Sequence, residues 1–145
     1  MLRTFAYRDR WLRAGVLLLL ALGCDAGGGR LAPVRGRVTY KGLPLHTGTI
    51  VFTPDAFRGN SGPLARAEIE PDGTYVLATR DNPGAAAGWH RVTVVAVEAA
   101  PGRSLAGPFA VPHSLLPDRY RDPELSGLAC EVKPGRENRF DFDLD

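Results

Sequence analysis

From residue 33 onward, apolar and polar positions alternate in short runs, the period of a strand with one buried face. Val34, Gly36, Val38 and Tyr40 fall on one side of the first run, and Arg35, Arg37, Thr39 and Lys41 on the other. Residues 48–53 form a second run, rich in β-branched and aromatic side chains. In residues 64–70, Ala65, Ala67 and Ile69 point inward between charged neighbours, and in residues 74–79 Tyr75 and Leu77 do the same. Residues 88–97 are the most apolar run, and their far end is apolar on both faces, which predicts a central strand. Two runs close the chain. Leu128, Cys130 and Val132 alternate in residues 128–133. Phe140, Phe142 and Leu144 alternate in residues 138–145, with Asp141, Asp143 and Asp145 facing out.

The breaks between runs are Gly and Pro. Lys41-Gly-Leu-Pro-Leu45 interrupts the first strand, residues 54–63 form a polar loop, and residues 80–88 form another. Pro71-Asp-Gly73 is the clearest turn, predicting that two antiparallel strands meet there. Residues 98–127 lack a sustained period, and that is long for an unstructured connection. This stretch holds a short helical turn around Pro117-Asp-Arg-Tyr120, or wraps the fold, or forms a binding surface. Pro134-Gly135 joins the last two strands. Seven or so short strands without a convincing helix predict an all-β, antiparallel β-sandwich. The closing strand is a natural edge, with outward aspartates that discourage unwanted pairing.

A different pattern precedes the strands. Residues 14–24 read Ala-Gly-Val-Leu-Leu-Leu-Leu-Ala-Leu-Gly-Cys, behind Arg3, Arg8, Arg10 and Arg13 with only Asp9 opposing them. The apolar run is about half the length of a membrane-spanning helix. A basic flank, a short apolar middle and small residues before a cut describe a secretory signal over residues 1–23. Ala21-Leu22-Gly23-Cys24 resembles the lipobox of bacterial lipoproteins, in which the Cys becomes the acylated first residue; Ala21 stands where Leu is commoner. The resemblance implies Cys24 as the lipid attachment site and a membrane anchor facing the periplasm or cell surface. An ordinary cleaved signal is the alternative. Residues 24–32 then have the composition of a Gly-rich tether, with the domain proper at 33–145.

Removing residues 1–23 changes the charge picture. Of 18 basic and 16 acidic residues, 14 and 15 remain, so the mature chain is almost neutral. A neutral domain offers no electrostatic footing for a phosphate backbone, which argues against nucleic acid as partner. The chain has two cysteines, and with Cys24 lipidated Cys130 has no partner. Its place on the apolar face of a strand reads as a small buried hydrophobe; a Cys24–Cys130 disulfide is the alternative.

Several motifs together resemble a family. Pro33-Val-Arg-Gly-Arg-Val-Thr-Tyr-Lys-Gly-Leu-Pro-Leu45 is similar to the V-x-G-x-V and G-x-P-L opening of carboxypeptidase-regulatory-like (transthyretin-like) domains. Pro71-Asp-Gly-Thr-Tyr75 resembles their next marker. Residues 88–94 resemble their G-x-Y-x-V-x-V strand, with His90 in the aromatic position. The segments from Leu115 to Gly127, Glu131 to Gly135 and Phe140 to Leu144 are similar to small planctomycete lipoproteins that carry one such domain. The resemblance implies a transthyretin-like sandwich and no peptidase activity, since in carboxypeptidases this domain is the non-catalytic companion.

Candidate chemistry is sparse. Ser61, Ser104, Ser114 and Ser126 lack a G-x-S-x-G setting, and His46, His90 and His113 lack metal-ligand spacing. No cofactor is implied. His90 reads as a core aromatic with its polar edge satisfied, and Asp55, Asp72 and Asp81 as turn formers. Asp141, Asp143 and Asp145 share one face and could hold calcium, though a solvated edge explains them better. The remaining candidates are aromatics. Phe57, Phe109 and Tyr120 lie outside strands, and Trp89 falls on the face opposite His90, Val92 and Val94. Trp89, Phe109 and Tyr120 are candidate ligand contacts, with plugging of the sandwich ends as the competing role and anchoring of the long loop favoured for Tyr120. The expected function is a membrane-tethered, non-catalytic binding or structural module contacting envelope proteins or glycans. A carbohydrate-binding module is the alternative and a hydrolase the weakest reading.

Overall fold

The computed structural model describes residues 30–98 and 113–145. The apolar run at 14–24, Cys24, most of the tether and Phe109 lie outside these residues. In chain order the first strands are β1 (Leu31–Ala32), β2 (Val34–Tyr40), β3 (Leu43–Pro44), β4 (Thr49–Pro54), β5 (Ala65–Glu68), β6 (Thr74–Val76) and β7 (Ala78–Thr79). There follow β8 (Asn82–Pro83), β9 (Ala85–Ala86), β10 (Gly88–Val95), β11 (Ala129–Val132), β12 (Asn138–Arg139) and β13 (Phe142–Leu144). Among the described residues the helical pieces are two 3-10 turns, Ala56–Arg58 and Asp118–Arg121. None of these is long and apolar enough to cross a membrane. The second turn lies at Pro117-Asp-Arg-Tyr120, where a short helical turn is one of the three readings of the long connection.

One sheet is antiparallel throughout, in the order β11-β10-β4-β5-β7-β8. β10 lies inside it between β11 and β4, as its two apolar faces predict. The register sets Val94 opposite Ile50 and Ile50 opposite Ala67, with Val92, Phe52 and Ala65 in the next row. These alternate side chains are buried and make one wall of the core. The second sheet gathers around β2, where Val34 and Val38 point inward and Arg35 and Arg37 outward. Phe52 joins the two sheets, with ring centroids 6.0–6.3 Å from Tyr75, His90, Phe140 and Phe142. The chain is thus all-β and sandwich-type, as its period of two predicts.

The second sheet explains the spacing of the opening motif. Tyr75 lays its ring across β2 and donates its hydroxyl to the Phe140 carbonyl at 2.7 Å. A β-carbon at Gly36 would stand 1.7 Å from that carbonyl oxygen and 2.8 Å from the Tyr75 hydroxyl. Only Gly fits where three chain segments meet this closely. Burial drives the Tyr75 phenol far up from its ordinary pKa, so it remains a donor.

Four expectations are corrected. Leu31–Ala32, read as tether, form β1 and pair with β9, and Ala32 is buried. Residues 80–88, read as loop, contain β8 and β9. Pro71-Asp-Gly73 does turn the chain, closed by Glu70 N–H to Thr74 O at 2.8 Å, but the strand after it divides between sheets. β6 pairs with β2 and β7 with β5, and buried Leu77 between them donates to Val34 O. Pro134-Gly135 joins β11 to β12 as expected, and in doing so carries the chain from one sheet to the other. Asn138 clips this corner: its side-chain oxygen accepts from Lys133 N–H at 2.9 Å, and its amide donates to the carbonyls of Lys133 and Arg136. Lastly, β12 and β13 run parallel to β2, a departure from the antiparallel plan, and Phe140 and Phe142 are only half-buried.

Candidate functional site

The loop after β4 begins with Asp55, whose carboxylate accepts from the Phe57 N–H at 3.1 Å and caps the first 3-10 turn. Gly59 closes that turn in the left-handed conformation. The Asp55 N–H bonds the Trp89 carbonyl at 2.9 Å, so the turn is fastened to the start of β10. Trp89 and Arg91 alternate with buried His90 and Val92, so both emerge on the outer face of the sheet.

These attachments bring four side chains into register. The Arg58 guanidinium lies over the Trp89 ring, 3.9 Å from its centroid, and that of Arg91 lies 5.2 Å from the centroid of Phe57. Each such stack contributes about 0.5–2 kcal/mol. Asp55 sits beneath them, almost wholly buried, with Arg91 Nε at 3.4 Å and Arg58 Nε at 3.6 Å. A buried carboxylate needs such partners, because a lone charge there would be costly. Arg91 also reaches the Pro123 carbonyl at 3.4 Å, bringing residues 123–129 in as the far wall of a cleft of about 180 Å³. Glu124 lines this wall. Phe57 is 81% exposed. The cleft therefore offers two arginines and two acids, and the open Phe57 ring lies beside it on Arg91, a set suited to polar recognition next to an apolar plane.

Of the sequence candidates, Trp89 belongs to this cluster and Tyr120 does not. Tyr120 is buried in the second 3-10 turn, accepts the Asp145 N–H at 3.0 Å and donates to the Asp145 carboxylate at 2.8 Å. It anchors the connection, and its ring is not presented to a ligand. Asp55, Arg58 and Arg91 were not singled out as site residues. The readable hint is Asp55-Ala-Phe-Arg-Gly59, a capping acid with a base three positions on. That Arg91 would meet it depends on pairing between distant strands.

The other candidates are accounted for by packing. His90 is buried, with Nδ1 3.0 Å from Gly88 O and Nε2 without a partner, so only one side of its polar edge is satisfied. Burial pulls its pKa below the usual value, against a smaller upward pull from the Gly88 bond. The Cys130 thiol is buried and its pKa is pushed up to about 12 by desolvation, which keeps it protonated and unreactive. Asp72 accepts from the N–H and the hydroxyl of Thr74, and these bonds hold its carboxyl below the usual range. The three outward aspartates engage separate partners. Asp141 accepts the Arg37 N–H, Asp143 the Thr39 hydroxyl, and Asp145 meets Tyr120 and Arg119. Among the described residues no group of three or more His, Cys, Asp or Glu is placed to hold a metal ion.

Set against known proteins, the chain matches no family model, no curated protein and no solved structure. Fold and site together define a class: an all-β, sandwich-type domain with a charged, aromatic-rimmed cleft on the outer face of one sheet.

Proposed function

We propose that the protein is a lipid-anchored module of a bacterial cell envelope that binds or braces a neighbouring component without catalysing a reaction. The observation that carries this reading is the basic flank and short apolar run ending in Ala21-Leu22-Gly23-Cys24. The domain would be of the carboxypeptidase-regulatory-like, transthyretin-like type, a reading supported by the joint packing of its motif residues Gly36 and Tyr75. A non-catalytic role is supported by where two of the described serine hydroxyls go. Ser114 donates to Leu116 O and Ser126 to Val92 O, backbone acceptors and not bases. Mass spectrometry of the mature N-terminus should find an acylated Cys24, and Cys24→Ser should release the protein from the membrane fraction. An unmodified start elsewhere, with Cys24→Ser still membrane-bound, would refute the anchor.

A carbohydrate-binding role is the second reading, favoured by the exposed Phe57 ring beside Trp89, Arg58 and Arg91. Aromatic planes flanked by charged hydrogen-bonding groups suit sugar faces and their hydroxyls. In that case Phe57→Ala and Trp89→Ala should each abolish binding on a glycan array while the melting temperature stays within a few degrees. Array binding retained by both variants would move the sugar site away from this cleft, and no array binding by the parent protein would leave contact with an envelope protein, to be found by crosslinking in intact cells. A hydrolase has the least support.

A further inference from the structure

A second, larger cleft, of about 360 Å³, opens beside the start of the described fold and takes no part in the site above. Its walls include Arg30, Ser61, Thr79, Arg80 and Asn82. No acidic side chain is among the lining residues. Among the described residues neither Arg30 nor Arg80 makes an ion pair. Two arginines that have no carboxylate within ion-pair distance among the described residues, beside Ser61 and Asn82, match the donors that a tetrahedral oxyanion requires. Arg80 occupies its position at a cost. It stands at the tip of the β7–β8 hairpin with φ +55°, a left-handed conformation that favours Gly or Asn. Thr79 braces that tip by donating its hydroxyl to Gly84 O at 2.8 Å. The turn is therefore strained, braced by one side-chain bond and tipped by a charge that its geometry does not require.

The position of Arg30 indicates where such an anion would come from. Six residue steps separate it from Cys24, at most about 20 Å of extended chain. We infer that this cleft takes the phosphodiester of a bilayer phospholipid headgroup, docking the domain on the membrane that holds it. The inference rests on the lipid-anchor reading for the source of the phosphate, and on the two arginines for its chemistry. Docking would fix the orientation of the domain, which a single acyl attachment leaves undetermined.

The full chain, purified in phosphate-free maltoside micelles, is titrated calorimetrically with glycerophosphoglycerol, a headgroup diester lacking acyl chains, and separately with inorganic phosphate. The diester should bind, and Arg30→Gln and Arg80→Gly should each weaken it about tenfold. Arg80→Gly serves as its own folding control, because Gly relaxes the positive φ and should not lower the melting temperature. No diester binding, or binding that neither variant changes, overturns the inference. Binding of inorganic phosphate without the diester makes the cleft a free-anion site and overturns the lipid source. The N-terminal mass of the same preparation reads the anchor separately. Acylated Cys24 without diester binding leaves the anchor standing and overturns the docking; diester binding to unacylated chain supports the cleft and overturns the anchor.

Discussion

His90 is a core aromatic that can take a proton, and the fold stabilises its neutral form. Its pKa in the folded protein is lowered, chiefly by burial, while the unfolded chain titrates at about 6.5. Between those two values the unfolded state carries the extra proton, so stability falls as pH drops through the window and is fully present above it. The melting temperature should therefore decline below about pH 6.5, and His90→Phe should remove that component of the slope. Phe fills a similar volume and leaves no unpartnered Nε2, so at neutral pH the variant should melt at or above the parent temperature. An unchanged pH profile in His90→Phe would assign the slope to other groups. The inward position of His90 was legible from the alternation around it. Its half-satisfied edge was not, because that depends on what packs across the core from the other sheet. Gly36 has the same split: the motif marks it, but the reason lies in Tyr75 and Phe140, distant in sequence.

The closing pair of strands separates what a period can tell from what it cannot. Alternation sorted Phe140, Phe142 and Leu144 from Asp141 and Asp143 correctly, since a slip of one residue would exchange the faces. It said nothing of depth. Leu144 is buried at 1% exposure, whereas Phe142 is only half-buried at the edge. Leu144→Ala should thus cost about 3–4 kcal/mol in denaturant unfolding, and Phe142→Ala about 2 kcal/mol despite its larger side chain. A greater loss in Phe142→Ala would mean that the edge is more deeply covered than described. The strand partners were equally illegible. Pro134-Gly135 in isolation does not say that the chain crosses to the opposite sheet there, or that Asn138 holds the corner through three side-chain bonds. The charged cleft shares this property. Its residues come from a loop, a central strand and a distant connection, and strand pairing alone brings them together.

At the scale of the whole molecule, the strand that centres the second sheet is nearly the first in the chain, and two of its partners are the last. β2 is flanked on one side by β3 and β6 and on the other by β12 and β13, with Val38 paired to Phe142. Without β12 and β13, β2 keeps an unpaired edge and the core loses Leu144 and the half-buried phenylalanines. A chain ending at residue 137 should therefore lose the cooperative thermal transition of the chain that runs to Asp145, and its core amides should lose protection from hydrogen exchange. A cooperative melt in that fragment would show that the closing strands are dispensable.

The same pairing acts as a timer. A polypeptide delivered from its N-terminus presents β2 more than a hundred residues before Phe142 can meet it. Contacts this remote form late, after the entropy of closing so long a loop has been overcome. On the export reading proposed above, that delay would keep the chain loose enough to thread through a narrow conduit before β13 closes on β2.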